Sequence, residues 1–252
     1  MALLVVEILR LSHKRHPWFP AWVRQHYAAV KLSLFAGITL GVTALMVHAN
    51  WVVNNPVATH YSIHIPKKVA GRDSLTIVMM SDMHIGEMIS NRLVRKYVAL
   101  SNAQKPDLVV WVGDWLDYES LYAERAHVEE DLRALKAPLG VYAVNGNHEY
   151  RANRFAKYRW LQKTGSTLLI DSVAQPDSTF YLIGRDDLVN KQRHGLQSLL
   201  RGVDRSKPLI VLDHQPLSFS ESVMNHIDLT LCGHTHNGQL WPYPLVMKWV
   251  YP

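Results

Sequence analysis

Residues 75–84 read LTIVMMSDMH, a mostly apolar run that ends on a carboxylate and an imidazole two positions apart. A short apolar run bounded by polar residues reads as a buried strand. The same grammar recurs along the chain. DLVVWV (107–112) leads into Gly113-Asp114-Trp115-Leu116-Asp117, and GVYAV (140–144) into Asn145-Gly146-Asn147-His148-Glu149. PLIVL (208–212) leads into Asp213-His214, and DLTLC (228–232) into Gly233-His234-Thr235-His236. STLLI (166–170) and TFYLI (179–183) are further strand-like runs, and helix-like stretches at 91–104, 121–136, 151–164, 195–203 and 217–226 separate several of them. Strands alternating with helices predict an α/β domain with largely parallel strands. Such sheets place their sites at the carboxyl ends of strands, where all five polar clusters fall. In an extended strand, residues two apart point the same way, so the D-x-H and H-x-H pairs are expected to aim both side chains at one point.

Upstream, the character of the chain changes near residue 54. LSLFAGITLGVTALMVHANWVV (32–53) holds no Asp, Glu, Lys or Arg. At ~1.5 Å per residue, such a helix crosses a hydrocarbon core of ~30 Å. Ala36, Gly37, Gly41 and Ala44 suit helix packing, and Trp51 an interfacial anchor. His48 and Asn50 speak for a buried core helix instead, yet the membrane span is the preferred reading. Lys14, Arg15, Arg24 and Lys31 precede the segment and form a basic, cytoplasmic flank, which sets everything after residue 54 on the non-cytoplasmic side. Lys67, Lys68 and Arg72 follow it and dilute that bias. The expected organisation is a basic flank (1–31), a transmembrane helix (32–53), a linker (54–73) and an α/β domain (74–252).

The bulk numbers agree with a globular core plus an apolar segment. Of 252 residues, 48% are hydrophobic and 19% charged, which argues against disorder. The net charge of +6 suits an anionic partner. Much of the basic charge lies in the first third, however, so no nucleic acid is expected as partner. Cys232 is the sole cysteine, which excludes an intrachain disulfide and a Cys-rich zinc module. The fourteen histidines matter by their placement. Any one of them is more readily a capping or core residue, whereas five clusters in this order at strand ends point to metal.

The ordered set SDMH, GDWLD, GNHE, DH and GHTHNGQ, over roughly residues 75–240, resembles the signature of the calcineurin-like metallophosphoesterases. Membrane-associated bacterial members similar to UDP-2,3-diacylglucosamine pyrophosphohydrolases share the layout. The resemblance implies two divalent ions (Mn, Fe or Zn) in an α/β sandwich of two sheets flanked by helices, preceded by the transmembrane helix. Asp82, His84 and His236 would hold the first ion, Asn147, His214 and His234 the second, and Asp114 would bridge them. Carboxylate, imidazole and amide oxygen suit such ions, whereas a soft-metal site would want thiolates. His148 would be the general acid and Asp117 the group that orients it, with an N-cap as the alternative for Asp117. The implied reaction is hydrolysis of a phosphoester or pyrophosphate by a hydroxide shared between the ions, on a phosphorylated small molecule or a lipid-linked substrate at the membrane. A nuclease of the same superfamily and a non-catalytic metal-binding scaffold are the rival readings. The first would want a basic groove, and the second has no use for His148 and Asp117.

Other residues carry weaker expectations. Gly184-Arg185-Asp186-Asp187 reads as a surface loop, with a substrate-contacting turn as the alternative, and Glu149 as a loop-orienting or capping group. Trp111 is assigned to the core, while Trp115, Trp241 and Trp249 are candidates for a lipid-facing rim. The family pattern continues past G-H-T-H with further strands, so the chain is expected to lack C-terminal strands.

Overall fold

The computed structural model describes residues 20–236, together with 4, 5, 8, 11, 12 and 244–246. Lys14, Arg15, Trp241 and Trp249 lie outside the described residues. The chain divides into two units, Met1–Pro56 and Val57–Pro252.

In the first unit, a short helix α1 (Ala21–Gln25) precedes α2 (Tyr27–Asn54). Helix α2 has 28 residues, longer at both ends than the expected 32–53, and none of them is buried. By length and composition it can cross a membrane. No side chain packs within 4 Å of where a Cβ on Gly37 or Gly41 would sit, so both positions remain open to a neighbouring helix.

The second unit holds two four-stranded sheets. Its elements run β1 (Ile77–Met80), α3 (Asn91–Ala103), β2 (Leu108–Val112), α4 (Leu121–Arg125), α5 (Val128–Leu132) and β3 (Val141–Val144). A 3₁₀ turn (His148–Tyr150) follows, then α6 (Arg154–Lys163), β4 (Thr167–Leu168), β5 (Ser172–Ala174) and β6 (Tyr181–Gly184). The remainder is α7 (Leu196–Leu199), β7 (Leu209–Leu212), α8 (Phe219–Met224) and β8 (Leu229–Leu231). Strands β1-β2-β3-β4 form one sheet, all parallel, and β5-β6-β7-β8 the other, parallel except for the antiparallel β5–β6 pair.

Side-chain alternation sorts the strands into layers. Leu108, Val110 and Val112 of β2 meet Leu182, Ile210 and Leu212 of the second sheet, so this cluster is the layer between the sheets. Val109 and Trp111 point the other way, onto Val94 and Val98 of α3 and Trp160 and Leu161 of α6. Leu209 and Val211 of β7 likewise turn outward onto Leu196 and Leu200. The order is helix, sheet, sheet, helix, with both faces of β2 and β7 buried, as parallel strands require.

Several expectations are corrected. The stretch 121–136 is two short helices, because His127 between them takes the left-handed conformation at φ 52. Trp115 is no rim residue: it is fully buried and stacks on Trp160 with ring centroids 6.1 Å apart. Strand β5 was not expected, since Ser172-Val173-Ala174 is too short to show an alternation. The second half of the linker is tied to the domain. Lys67 Nζ donates to Asp228 Oδ2 at 2.6 Å and to the Lys207 carbonyl at 3.0 Å, and Arg72 donates to Asp177 Oδ2 at 2.8 Å.

Candidate metal centre

Asp82 and His84 follow β1, Asp114 and Asp117 follow β2, and Asn147 and His148 follow β3. His214 follows β7, and His234 and His236 follow β8. Because β1, β2, β3, β7 and β8 lie in parallel ladders, their carboxyl ends meet at one edge of the two sheets. The pairs do not converge through extended backbone. Asp82, His84, Asp114, His234 and His236 all take positive φ, between 44° and 71°. The chain curls left-handed after β1, β2 and β8, but not at Asn147 or His214. Such conformations are uncommon for residues other than glycine and collect at functional sites.

Three groups of side-chain atoms come together. The Asp82, His84 and His236 ligand atoms all lie within 4.8 Å of one another, as do those of Asp114, His214 and His234. In the first group, His84 Nε2 is 3.2 Å from His236 Nε2, and His236 Nε2 is 3.2 Å from Asp82 Oδ1. Donors that share an ion at ~2.1 Å with tetrahedral or octahedral angles stand ~3.0–3.4 Å apart, so the spacing fits a metal. Asp114 Oδ2 sits between the groups, 3.3 Å from His214 Nε2 and 3.6 Å from His84 Nε2. That is a bridging position. The third group is His84, Asp114 and His148.

Orphaned atoms point the same way. His214 Nε2 and Asn147 Oδ1 are buried with no hydrogen-bond partner. An enclosed polar atom without a partner is expensive to bury, and a cation supplies what is missing. His214 Nδ1 donates to the Val112 carbonyl at 2.7 Å, which orients the ring with Nε2 toward Asp114.

The electrostatics match tight pairing of opposite groups. Burial on its own would raise the Asp114 carboxyl, but His214, with the His148 amide, holds it at about 2. Burial would lower His214, yet the Asp114 carboxylate lifts it to about 9. Burial lowers His84 and His234, whose neighbouring histidines add to the effect.

His148 sits beside this centre. Its Nδ1 lies 2.7 Å from the backbone carbonyl of Asp117 and 3.2 Å from that residue's carboxylate. The carbonyl can only accept, so Nδ1 carries the proton and Nε2 faces the pocket, 3.9 Å from Asp114 Oδ2. Asp117 does not cap the next helix, because Ser120 holds that position. The closer of its two contacts to the ring is made by its main chain.

Three buried features surround the site, and the first, Glu149, is the loop-orienting group that the sequence suggested. Glu149 is fully buried, and its carboxylate accepts the amides of Asp114 (2.8 Å), Leu116 (3.3 Å) and Gly146 (2.7 Å), stitching the loop after β2 to the loop after β3. Burial and the nearby Asp114 charge push it up to about 7. Lys157 is buried too, and its Nζ donates to the His148 carbonyl at 2.6 Å. The third is the segment 184–187, which is interior and not a surface loop. Arg185 Nη1 donates to Glu221 Oε2 at 2.6 Å, while Asp186 accepts from Asn145 and Asn190, and Asp187 from Gln215. Arg193 donates to Asp213 at 2.7 Å directly behind His214. The partners stand up to 41 residues away, so only the folded chain shows them.

Comparison with known proteins gives the same reading. The family model for calcineurin-like phosphoesterases matches residues 75–238. The chain is 32% identical over 209 residues to a protein described as a metallophosphoesterase in Caenorhabditis elegans, covering 76% of this chain and 43% of the relative. It is 31% identical over 206 residues to a transmembrane protein with metallophosphoesterase domain from Danio rerio (76% and 47% covered). It is also 31% identical over 187 residues to an uncharacterized metallophosphoesterase of Aquifex aeolicus (72% and 70% covered). The chain thus spans less than half the length of the first two relatives. With the strand-end ligand set and the match over residues 75–238 in agreement, the chain belongs to the calcineurin-like phosphoesterase family.

Proposed function

We propose that this chain is a two-metal hydrolase of phosphoester or pyrophosphate bonds, anchored in a membrane by α2 and acting on a lipid-linked or membrane-proximal substrate. The observation that carries the reaction is the position of Asp114 Oδ2, between the imidazoles of His84 and His214, with the orphaned side-chain oxygen of Asn147 at the end of the neighbouring strand β3. Asp82, His84 and His236 would hold one ion, Asn147, His214 and His234 the other, and Asp114 both. Divalent ions in such a pair supply Lewis acidity to phosphoryl oxygens and lower the pKa of water.

The chain's own groups do the rest. His148 keeps Nδ1 on the Asp117 carbonyl, so a proton on Nε2 is directed into the pocket, where a leaving oxygen would take it. Asp117 and Asp114 flank the ring, with carboxylate oxygens 3.2 Å from Nδ1 and 3.9 Å from Nε2. Glu149 and Lys157 hold the backbone on which Asp114 and His148 sit.

Support for the membrane comes from α2 and from the name of the Danio rerio relative. The basic residues before α2 favour a catalytic unit on the non-cytoplasmic side. The test is hydrolysis of bis-p-nitrophenyl phosphate by metal-loaded protein. Turnover that vanishes with chelator and returns with Mn²⁺, Fe²⁺ or Zn²⁺ is expected. Full metal loading with no turnover on mono-, di- or pyrophosphate esters would favour a scaffold.

A further inference from the structure

We infer that Ser81 is a positioning residue for the first of the two ions: its hydroxyl holds Asp82 as a one-oxygen ligand and has no part in seating the second ion. The two oxygens of Asp82 keep different company. Oδ2 lies 2.5 Å from Ser81 Oγ and 2.9 Å from the His234 amide nitrogen. Oδ1 shares that amide at 3.0 Å and faces His236 Nε2 at 3.2 Å. Two donors thus occupy Oδ2, and the oxygen left for an ion is Oδ1, on the side of His236.

The placement of one proton decides what Ser81 does. Its oxygen stands near two acceptors, the Asp82 carboxylate at 2.5 Å and the Val112 carbonyl at 2.8 Å, and a hydroxyl has a single proton to give. A hydroxyl on a carboxylate makes the shorter and stronger bond, at ~2.5–2.7 Å, so the proton goes to Asp82. The Val112 carbonyl is served in any case, because His214 Nδ1 donates to it at 2.7 Å. Ser81 therefore acts on a ligand of the first ion, while the His214 ring, a ligand of the second, is oriented without it. A serine that merely closed the turn after β1 would give its proton to Val112 and show no preference between the ions.

The surroundings leave this task to the hydroxyl. The Asp82 main chain is fixed separately, with φ at 55° and its amide donating to the Gly113 carbonyl at 3.1 Å. The turn after β8 packs directly onto Ser81, since a Cβ on Gly233 would fall 1.7 Å from its Oγ. What freedom remains to Asp82 is rotation of its carboxylate, and Ser81 Oγ with the His234 amide restrains it. Without the hydroxyl, Oδ2 is released to compete with Oδ1 for the ion. Partners that orient a metal ligand in this way are worth ~10–100-fold in metal affinity.

The inference rests on the two-ion reading proposed above, and its test needs no turnover. Full-length protein in detergent is stripped of metal with chelator and titrated with Mn²⁺ by calorimetry, as wild type and as Ser81→Ala. The expected result is two ions in the wild type, with one of them weakened ~10–100-fold in Ser81→Ala and the other by about twofold or less. Two further backgrounds assign the weakened ion. His234→Ala keeps Asp82, His84 and His236, so adding Ser81→Ala should weaken the ion that remains there by the same factor. In His236→Ala the remaining ion should not respond to Ser81→Ala. Equal weakening of both ions overturns the inference, because the hydroxyl would then serve the pocket as a whole. No weakening of either ion overturns it as well, and so does an effect confined to the His236→Ala background. A wild-type chain that takes up a single Mn²⁺ contradicts the two-ion reading and takes the inference down with it, whereas two ions without selective loss overturn the inference alone.

Discussion

Asp114 is held from several sides. Its amide donates to Glu149 at 2.8 Å, its Oδ1 accepts the His148 amide at 2.9 Å, and Oδ2 faces the imidazoles. The precision of the site therefore depends on residues that bind nothing themselves. Gly233 shows how tightly they fit, because a Cβ there would fall onto the Ser81 and Asp82 side chains. Gly233→Ala should cost about 1–3 kcal/mol through overpacking and should weaken metal retention, read by thermal unfolding and elemental analysis. His148→Asn should lower turnover by ~10²–10⁴-fold with metal content unchanged, and the loss should shrink for good leaving groups such as nitrophenol. If His148→Asn strips an ion, the residue is a ligand. Asp117→Asn should be much milder, since the 2.7 Å contact to His148 is made by the backbone carbonyl and survives the change.

At the scale of elements, helix α2 gives the plainest prediction. Its 28 residues without a buried side chain should keep the protein in the membrane fraction through high-salt and carbonate washing. Release into the soluble fraction would remove the anchor from the account. Seven of the eight strands among the described residues follow apolar runs readable in the sequence, because a parallel strand buried on both faces must be apolar throughout. The eighth, β5, pairs only three residues with β6, too few to leave a pattern. Helix 121–136 broke at His127 for a backbone reason that composition does not carry. The candidate ligand residues could be read because each lies within a few positions of a strand's carboxyl end. The way the ligands converge could not, since left-handed φ at Asp82, His84, Asp114, His234 and His236 reflects tertiary contacts. The charged segment Arg185-Asp186-Asp187 looked solvated for a similar reason: its partners Asn145, Glu221 and Gln215 are distant in sequence.

For the whole molecule, the account is a family domain that gathers nitrogen and oxygen donors from five strands at one edge and is joined to a helix able to span a membrane. Its central claim is that these donors hold two ions with Asp114 between them. Elemental analysis of the purified full chain, run beside Asp114→Ala, tests that claim most directly. The account predicts close to two transition-metal ions per chain in the wild type and loss of most of both in the variant. A single firmly held ion in the wild type, unchanged by Asp114→Ala, would contradict it.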